Sequence, residues 1–242
     1  MFGRKKSGEK KKESIWSLVS VLLIALSIRW AVAEAYVIPS GSMLPTLLLH
    51  DHIFVNKMIY GVRVPFSSQW LVKFNEPKRG EIVVFKNPRD GVVMVKRIIG
   101  LPGDRVAYDG RTLAINDGTI ETEPATSKTN FDWLRDDVVE NRLASHDFLT
   151  EKLAGANHDV LLDREEGPYE NQTYTVPAGH LFMMGDHRDN SADSRVWGFL
   201  PIDNILGRAS FVWLTCDEPI PVVELFCNPL TMRWGRLGHP VN

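Results

Sequence analysis

The sequence has few cysteines, no internal repeat and only one long apolar run. Its 242 residues include 2 cysteines, 18 glycines and 14 prolines, which excludes a disulfide-dense miniprotein and a collagen-like fibre. The single apolar run excludes a polytopic membrane protein. With 44% hydrophobic residues and a net charge of −2, the chain is too apolar for wholesale disorder. These limits leave a globular chain of one large domain or two modest ones.

The charge is distributed unevenly along the chain. Residues 1–13 contain six Lys or Arg and two Glu, a net charge of +4, and residues 14–33 contain only Arg29. The rest of the chain, from residue 34 onward, therefore carries −7. A basic head precedes an apolar segment and an acidic body.

The apolar segment has the length of a membrane-spanning helix. In residues 15–33, 15 of the 19 positions are apolar, and a helix needs about 20 residues to cross a bilayer. Arg29 lies close enough to the end for its guanidinium to reach the headgroups. The positive-inside rule keeps the basic head in the cytoplasm. We therefore expect a cytoplasmic tail (1–13), one transmembrane helix (14–34) and an extracytoplasmic domain (35–242).

A cleavable signal peptide is the alternative interpretation of this segment. A basic start, an apolar centre and the small-residue pattern at 31–33 fit that template, whereas Arg29 interrupts the approach to the cleavage site. Either interpretation exports the body. In an exported body, Cys216 and Cys227 are expected either to form a disulfide or to remain two buried thiols.

The body is predicted to be mostly β. Residues 37–108 contain short β-branched or alternating runs separated by Gly, Pro, Asn and Asp, the pattern of strands and turns. Residues 109–175 are polar and acidic with weak helical periodicity, so they are interpreted as an inserted accessory lobe. Compact β character then returns. The expected architecture is one β catalytic domain with an insert.

Two segments of the body combine small polar or charged residues with apolar surroundings. Ser40 and Ser42 flank Gly41 in a turn-rich segment, where a hydroxyl and backbone N–H groups can converge as in an oxyanion hole, or simply form a loop. Lys96 lies inside an apolar strand pattern. It either points to water from an edge strand or is desolvated, in which case its pKa falls and the neutral amine can act as a general base.

A third segment, residues 185–195, alternates Asp with Arg. A calcium loop is excluded because Arg188 stands where the second ligand belongs, so we expect an internally paired loop that positions the hydroxyl of Ser191 or Ser194. In the triplet at residues 50–52, His-Asp-His, the two histidines are interpreted as solvated rather than metal-binding, since no third ligand is evident.

Together these segments resemble the bacterial type I signal peptidases, membrane-anchored serine proteases that remove signal peptides from exported preproteins. The resemblance runs from about Ala35 to Ala209, interrupted by the insert, and rests on five motifs in the order of the family. The motifs are IPSGSMLPTL, DHIFVNK, RGEIVVFKNP, VKRIIGLPGD and GDHRDNSADSRVWGFLP. The resemblance implies a Ser/Lys dyad on a signal-peptidase-like β fold.

The roles in the catalytic centre follow from the resemblance, motif by motif. Ser42 in SGSM matches the nucleophile and Lys96 in VKR matches the general base. Ser40 matches the residue whose hydroxyl completes the oxyanion hole together with the Ser42 backbone N–H.

The resemblance also assigns roles in the loop at 185–195. Ser191 matches the serine that orients the lysine, and Asp193 and Arg195 match the residues that support this loop. His187 stands where the family usually has Asn, so altered loop packing or a local pH effect is expected there.

The function implied by the resemblance is cleavage after Ala-x-Ala-like sites at the outer face of a bacterial cytoplasmic membrane. The implied partners are preprotein signal peptides and membrane lipids, with no nucleic acid, no obligate protein partner and neither metal nor organic cofactor. The chain would cross the membrane once, with its catalytic domain in the periplasm. The aromatic and apolar positions of residues 64–74 are expected either to rest in the headgroups or to form a buried hairpin.

Other protein classes fit the sequence less well. A self-cleaving repressor of the SOS type would need an N-terminal DNA-binding helix pair, whereas this chain begins with a basic and then an apolar segment. A β-lactamase would need its catalytic residues in an S-x-x-K motif, and neither Ser42 nor Lys96 lies in one. A membrane-anchored β-rich binding module or a catalytically inactive relative is the alternative of another class. Since both dyad residues are present, the sequence favours the enzyme.

Overall fold

The computed structural model describes residues 15–22, 32–64, 69–125, 146–153, 156–164, 171–220 and 223–241. Two α-helices, α1 (residues 15–22) and α2 (Ser194–Trp197), accompany five short 3-10 helices and nineteen strands in this described part. The strands of the first half are β1 (Ala33–Val37), β2 (His52–Asn56), β3 (Gly61–Arg63), β4 (Trp70–Lys73), β5 (Ile82–Lys86), β6 (Val93–Gly100), β7 (Arg105–Tyr108), β8 (Leu113–Ile115), β9 (Gly118–Thr119) and β10 (Thr122–Pro124). Those of the second half are β11 (His146–Leu153), β12 (Ala156–Asp163), β13 (Gln172–Thr175), β14 (His180–Met184), β15 (Leu200–Pro201), β16 (Ile205–Leu214), β17 (Pro219–Ile220), β18 (Val223–Cys227) and β19 (His239–Pro240).

The main sheet has eight antiparallel strands in the order β1-β2-β16-β5-β6-β14-β15, with β19 paired to β16. Along β5, Ile82 and Val84 belong to one buried cluster, whereas Val83 and Phe85 belong to another. Because alternate side chains of a strand point to opposite faces, both faces of the sheet are covered here. Burial on both faces explains the uninterrupted apolar run IVVF of β5. The nineteen strands confirm the expectation of a mostly β body.

The predicted membrane-spanning segment is described only in part. Residues 15–22 are helical, residues 1–14 and 23–31 lie outside the described ranges, and Ala33 and Glu34 already belong to β1. The expectation of a helix that continues to residue 34 is therefore wrong at its end, because β1 pairs with β2 from Ala33 onward. Across the described ranges, no helix combines the length and apolar composition that a membrane crossing requires.

The segment interpreted as an insert, residues 109–175, forms β8 to β13 where it is described. Strands β8, β9 and β13 join β7 in a four-stranded sheet, and β10, β11 and β12 form a separate three-stranded sheet. The weak helical periodicity noted in the sequence is misleading over residues 146–153, which form β11 and pair with β12 along their whole length. Residues 126–145, 154–155 and 165–170 lie outside the described part.

Strands β3 and β4 form a hairpin whose apolar side chains face outward. Leu71, Val72 and Phe74 are 66%, 49% and 54% exposed, whereas Trp70 lies under the Arg63 guanidinium at 4.1 Å. The alternative of a buried hairpin is therefore wrong for these residues. Phe66 lies outside the described residues.

The two cysteines form a disulfide. Cys216 and Cys227 are bonded, with their Cα atoms 5.5 Å apart and a sequence separation of 11. In the chain-entropy model, closing a loop of this length stabilises a fold by about 3 kcal/mol. The bond lies beside His52, whose Nδ1 is 3.9 Å from the Cys227 Sγ.

The expectation of two solvated histidines at residues 50 and 52 is wrong for His52. His52 is buried and packs edge to face against Trp213. Asp51 is also buried, and its carboxylate accepts hydrogen bonds from the Arg236 guanidinium and the Thr215 hydroxyl. These partners lie more than 160 positions away in sequence, so no local pattern indicated this burial.

Candidate active site

A short turn presents the Ser42 hydroxyl. Ser40 is extended, and Gly41–Met43 then form a single 3-10 turn. Met43 is fully buried in the cluster beneath the main sheet, which anchors the turn. Ser42 itself remains partly exposed. The turn therefore fixes the backbone of Ser42 while leaving its side chain open to an incoming group.

Lys96 reaches this turn from the centre of the main sheet. It lies on β6, between β5 and β14, and the residue is only 2% exposed. Its Nζ donates a hydrogen bond to Ser42 Oγ at 2.6 Å. The alternative of an edge-strand lysine that points to water is therefore wrong.

The surroundings of Lys96 favour its neutral form. Burial lowers the pKa of Lys96 to about 8, while the negative charges of Asp193 and Asp186 act in the opposite direction. Burial prevails because removing an ammonium group from water disfavours the charged form. The geometry thus places a readily deprotonated amine against a serine hydroxyl, an arrangement that can remove the hydroxyl proton.

Ser40 joins the same group. Its Oγ lies 3.4 Å from Ser42 Oγ, and its side chain is exposed. The structure thus brings together the three residues that the sequence analysis assigned to the chemical step, Ser40, Ser42 and Lys96.

Ser191 lies against the turn Gly41–Met43. It is buried, and a Cβ added to Gly185 would lie 2.3 Å from Ser191 Oγ and 2.4 Å from the Ser42 carbonyl oxygen. No side chain fits at Gly185, because these two groups already occupy the space beside its Cα. Ser191 is therefore close to Ser42, and its contact with Lys96 remains a prediction.

Asp193 and Arg195 close the loop on itself. The buried Asp193 carboxylate accepts hydrogen bonds from the Gly185 backbone N–H at 3.0 Å and from Arg195 Nη2 at 2.7 Å. It also caps α2 by accepting the Arg195 backbone N–H. Arg195 Nη2 in turn donates to the Arg188 carbonyl oxygen. The hydroxyl of Ser194 accepts a hydrogen bond from the Met183 N–H at 2.8 Å.

The expectation of an internally paired loop is correct only for Asp193 and Arg195. Two other charged residues of the loop have partners elsewhere, and the sequence analysis missed both pairs. Asp186 takes a bidentate hydrogen bond from the Arg97 guanidinium at 2.8 Å for each contact, and both side chains are fully buried. The only sequence signal was a charged residue next to Lys96 in an apolar strand.

The second missed pair joins the loop to the hairpin β11–β12. Arg188 donates to both carboxylate oxygens of Glu151, and His158 Nε2 lies 3.3 Å from Glu151 Oε2. Burial by itself would raise the pKa of Glu151, but the charge of Arg188 and the hydrogen bonds from His158 and Arg188 together outweigh burial and lower the pKa to about 2. The inserted hairpin thus contributes an ionised carboxylate to the support of the site.

His187 contacts the turn Gly41–Met43 directly. Its backbone N–H donates to the Ser42 carbonyl oxygen at 3.2 Å, and its Nδ1 lies 3.3 Å from the Gly41 carbonyl oxygen. Burial, and next the nearby His146, lower its pKa. His146, Asp163 and His187 are also the one group in the described ranges whose ligand atoms lie close enough to hold a metal ion.

Comparison with known proteins gives consistent similarities. A family model described as "Signal peptidase, peptidase S26" matches residues 11–214. Signal peptidase I of Buchnera aphidicola subsp. Schizaphis graminum is 34% identical over an alignment that covers 87% of this chain and 78% of that protein. Signal peptidase I of Pseudomonas fluorescens is 38% identical over an alignment that covers 84% of this chain and 72% of that protein. A crystal structure of a signal peptidase I from Enterococcus faecalis V583 aligns with 57% of this chain and all of its own, at 28% identity and a TM-score of 0.35.

Proposed function

The chain belongs to the signal peptidase family, peptidase S26, and is a serine peptidase; from this premise we propose that it removes N-terminal signal peptides from exported preproteins with Ser42 as nucleophile and Lys96 as general base. The single observation that carries the assignment of these two residues is the 2.6 Å hydrogen bond between Lys96 Nζ and Ser42 Oγ, made by a buried lysine.

The acylation step uses the neutral form of Lys96. The Lys96 amine accepts the Ser42 proton as Ser42 Oγ attacks the scissile carbonyl carbon, and the carbonyl oxygen takes up the electron pair. The Ser40 hydroxyl and the Ser42 backbone N–H stabilise this oxyanion. When the tetrahedral intermediate collapses, the C–N bond breaks and the Lys96 ammonium protonates the leaving amine. The mature protein leaves with a free N-terminus.

Deacylation repeats the same proton transfers with water. The neutral Lys96 accepts a proton from a water molecule, whose oxygen attacks the acyl carbon on Ser42. Collapse of the second intermediate returns the proton from Lys96 to Ser42 Oγ and releases the signal peptide as a carboxylic acid. One buried amine therefore serves both half-reactions.

The loop at 185–195 holds Lys96 and Ser42 in position. Ser191 acts as a positioning residue that accepts or donates a hydrogen bond to keep the lysine amine directed at Ser42. Asp193 and Arg195 hold the loop through the contacts between their side chains and the backbone of Gly185 and Arg188. Support for these roles comes from the burial of Ser191, Asp193 and Arg195 beside the nucleophile turn.

The proposed location is the outer face of a bacterial cytoplasmic membrane. Residues 1–13 would lie in the cytoplasm and residues 14–32 would anchor the catalytic domain, which places Ser42 close to the bilayer surface. The outward-facing apolar side chains of Leu71, Val72 and Phe74 support contact with lipid at the same surface. Cleavage after Ala-x-Ala follows from the family, since small side chains suit shallow pockets beside an extended substrate.

Processing of a preprotein by the full chain in detergent tests this function. We expect one cut, after the Ala-x-Ala end of the signal peptide, and Edman sequencing of the product should give the mature N-terminus. A preprotein with Phe at the last position of the signal peptide should be cleaved at least about 100-fold more slowly. Equal cleavage of both substrates, or no cleavage, would contradict the proposal.

Sequencing the enzyme extracted from membranes tests the anchor, because a start at Glu34 would show that the apolar segment is removed.

The rate should depend on pH through Lys96. Because only the neutral amine can accept the Ser42 proton, log(kcat/KM) should rise with a slope near 1 below about pH 8 and then level off. Because the pKa of Lys96 is lowered, the rising part of the pH profile lies well below the pKa of free lysine. Melting temperatures measured across the same range serve as the control for unfolding. An acidic limb near pH 10, or a pH-independent rate, would contradict the assignment of Lys96 as the base.

A further inference from the structure

We propose that His146, Asp163 and His187 bind a divalent transition metal ion, Zn²⁺ in particular, and that the bound ion ties the inserted hairpin to the nucleophile turn. The family assignment and the dyad do not require this site. It is argued from side chains that the peptidase mechanism leaves unused.

The three ligand atoms already converge. Asp163 Oδ1 lies 2.6 Å from His146 Nε2 and 3.9 Å from His187 Nε2, and all three residues offer ligand atoms within 4.8 Å of one another. The donor atoms of a tetrahedral Zn²⁺ site are separated by about 3.3 Å, as expected from metal–ligand distances of about 2.0–2.1 Å. Shifts of less than about 1 Å in these side chains would therefore complete the site.

The backbone holds the three residues from two sides. His146 and Asp163 face each other as paired residues at one end of β11 and β12. His187 comes from the loop after β14 and forms a parallel bridge with Leu161 of β12. Since each ligand lies on a segment fixed by hydrogen bonds, little additional ordering is needed to bind an ion.

One of the ligand atoms, His187 Nε2, is buried without a hydrogen bond. Asp163 Oδ1 contacts His146 Nε2 at 2.6 Å but lies 3.9 Å from His187 Nε2. A buried polar atom without such a bond costs free energy, and most buried polar atoms avoid it. A cation between them would satisfy both atoms at once. The His187 side chain is only 6% exposed, so water has little access to the Nε2 atom.

The surroundings of His187 select the tautomer that a metal needs. Its Nδ1 lies 3.3 Å from the Gly41 carbonyl oxygen, which can only accept, so the ring proton is placed on Nδ1. The lone pair of Nε2 then faces Asp163. A ligating histidine that donates its other ring N–H to a carbonyl is the usual arrangement around protein-bound zinc.

The donor set indicates the class of metal. Two imidazole nitrogens and one carboxylate suit Zn²⁺ and its neighbours in the transition series, whereas Ca²⁺ and Mg²⁺ prefer oxygen ligands alone. Three protein ligands leave a fourth position for water. The Asp163 side chain is 43% exposed, which provides an entry path from solvent. Its backbone N–H donates to Asp189 Oδ2, which brings a further carboxylate beside the site.

Metal binding by tag-free full-length protein in detergent tests the proposal. The protein is first treated with EDTA, then titrated with ZnCl₂ at about pH 7.5 in a calorimeter and, in parallel, with CoCl₂ in an absorption spectrometer. We expect one equivalent of Zn²⁺ to bind with a micromolar or lower Kd, Co²⁺ to give the intense visible bands of a four-coordinate site, and Zn²⁺ but not Mg²⁺ to raise the melting temperature.

Variants locate the ion. His146→Ala and His187→Asn should each weaken Zn²⁺ binding at least about 10-fold and remove the rise in melting temperature, whereas His180→Ala, at a partly exposed histidine of β14, should bind as the wild type does. Absence of stoichiometric binding, or unchanged binding by His146→Ala and His187→Asn, would overturn the proposal. None of these measurements uses a substrate, so their failure is distinguishable from failure of the peptidase assignment.

Discussion

Replacing Lys96 by Met should lower kcat/KM for preprotein cleavage by about 10⁴-fold or more, the scale on which loss of a catalytic nucleophile or base acts. Met fills a similar volume but has no amine, so Ser42 Oγ keeps its proton. Lys96→Arg should be equally inactive, because a guanidinium remains protonated at any workable pH. Cleavage of a radiolabelled or fluorescent preprotein measures the loss.

Ser42→Ala is the partner variant in this test. Because Ser42 and Lys96 act as a unit, the double variant should be no slower than either single variant. Lys86→Met, the same substitution at the exposed end of β5, is the matched control and should cleave like the wild type. All variants are compared after their melting temperatures show that they fold. Wild-type activity in Ser42→Ala or Lys96→Met would refute the dyad.

Breaking the buried pair between Arg97 and Asp186 should have the largest effect on stability. Arg97→Met or Asp186→Asn should lower the free energy of unfolding by about 3–5 kcal/mol, since each leaves a buried charge without its counterion. Arg97 would retain the Gly80 carbonyl oxygen, and Asp186 would retain the Thr46 hydroxyl. Neither neutral partner replaces a bidentate ion pair. Urea denaturation followed by circular dichroism measures the change.

The matched control is an exposed ion pair. Glu121→Gln removes a carboxylate 3.6 Å from Lys152 at the surface of the three-stranded sheet, and it should change the free energy of unfolding by less than about 1 kcal/mol. Replacing both Arg97 and Asp186 by apolar residues should recover part of the loss, because no unpaired charge then remains. If Arg97→Met were as stable as Glu121→Gln, the pair would have no structural role.

The pair between Arg97 and Asp186 also shows where sequence reasoning stops. Period-2 alternation places the neighbouring Lys96 and Arg97 on opposite faces of one strand, and the structure buries both. The partner of Arg97 lies 89 positions away, and no local pattern connects the two. The same holds for Glu151, which reaches Arg188 from a segment that the sequence suggested only as a polar insert.

Contacts between segments far apart in the sequence also explain the expectations that the structure overturns. The sequence predicts a solvated His52, but distant partners bury His52 together with Asp51. The helix predicted to reach residue 34 ends earlier, because Ala33 and Glu34 belong to β1 and pair with β2. Apolar composition alone does not distinguish a strand that pairs from the end of a helix.

The sequence alone determined the β character of the body, the basic, apolar and acidic order of the chain, and the serine and lysine motifs of its family. These properties are local: they follow from periodicity, charge and short motifs. The tertiary structure decided that Lys96 is central and buried, that Cys216 and Cys227 are bonded, and that His187 faces His146 and Asp163. Burial and pairing depend on segments far apart in the chain, and only packing brings those segments together.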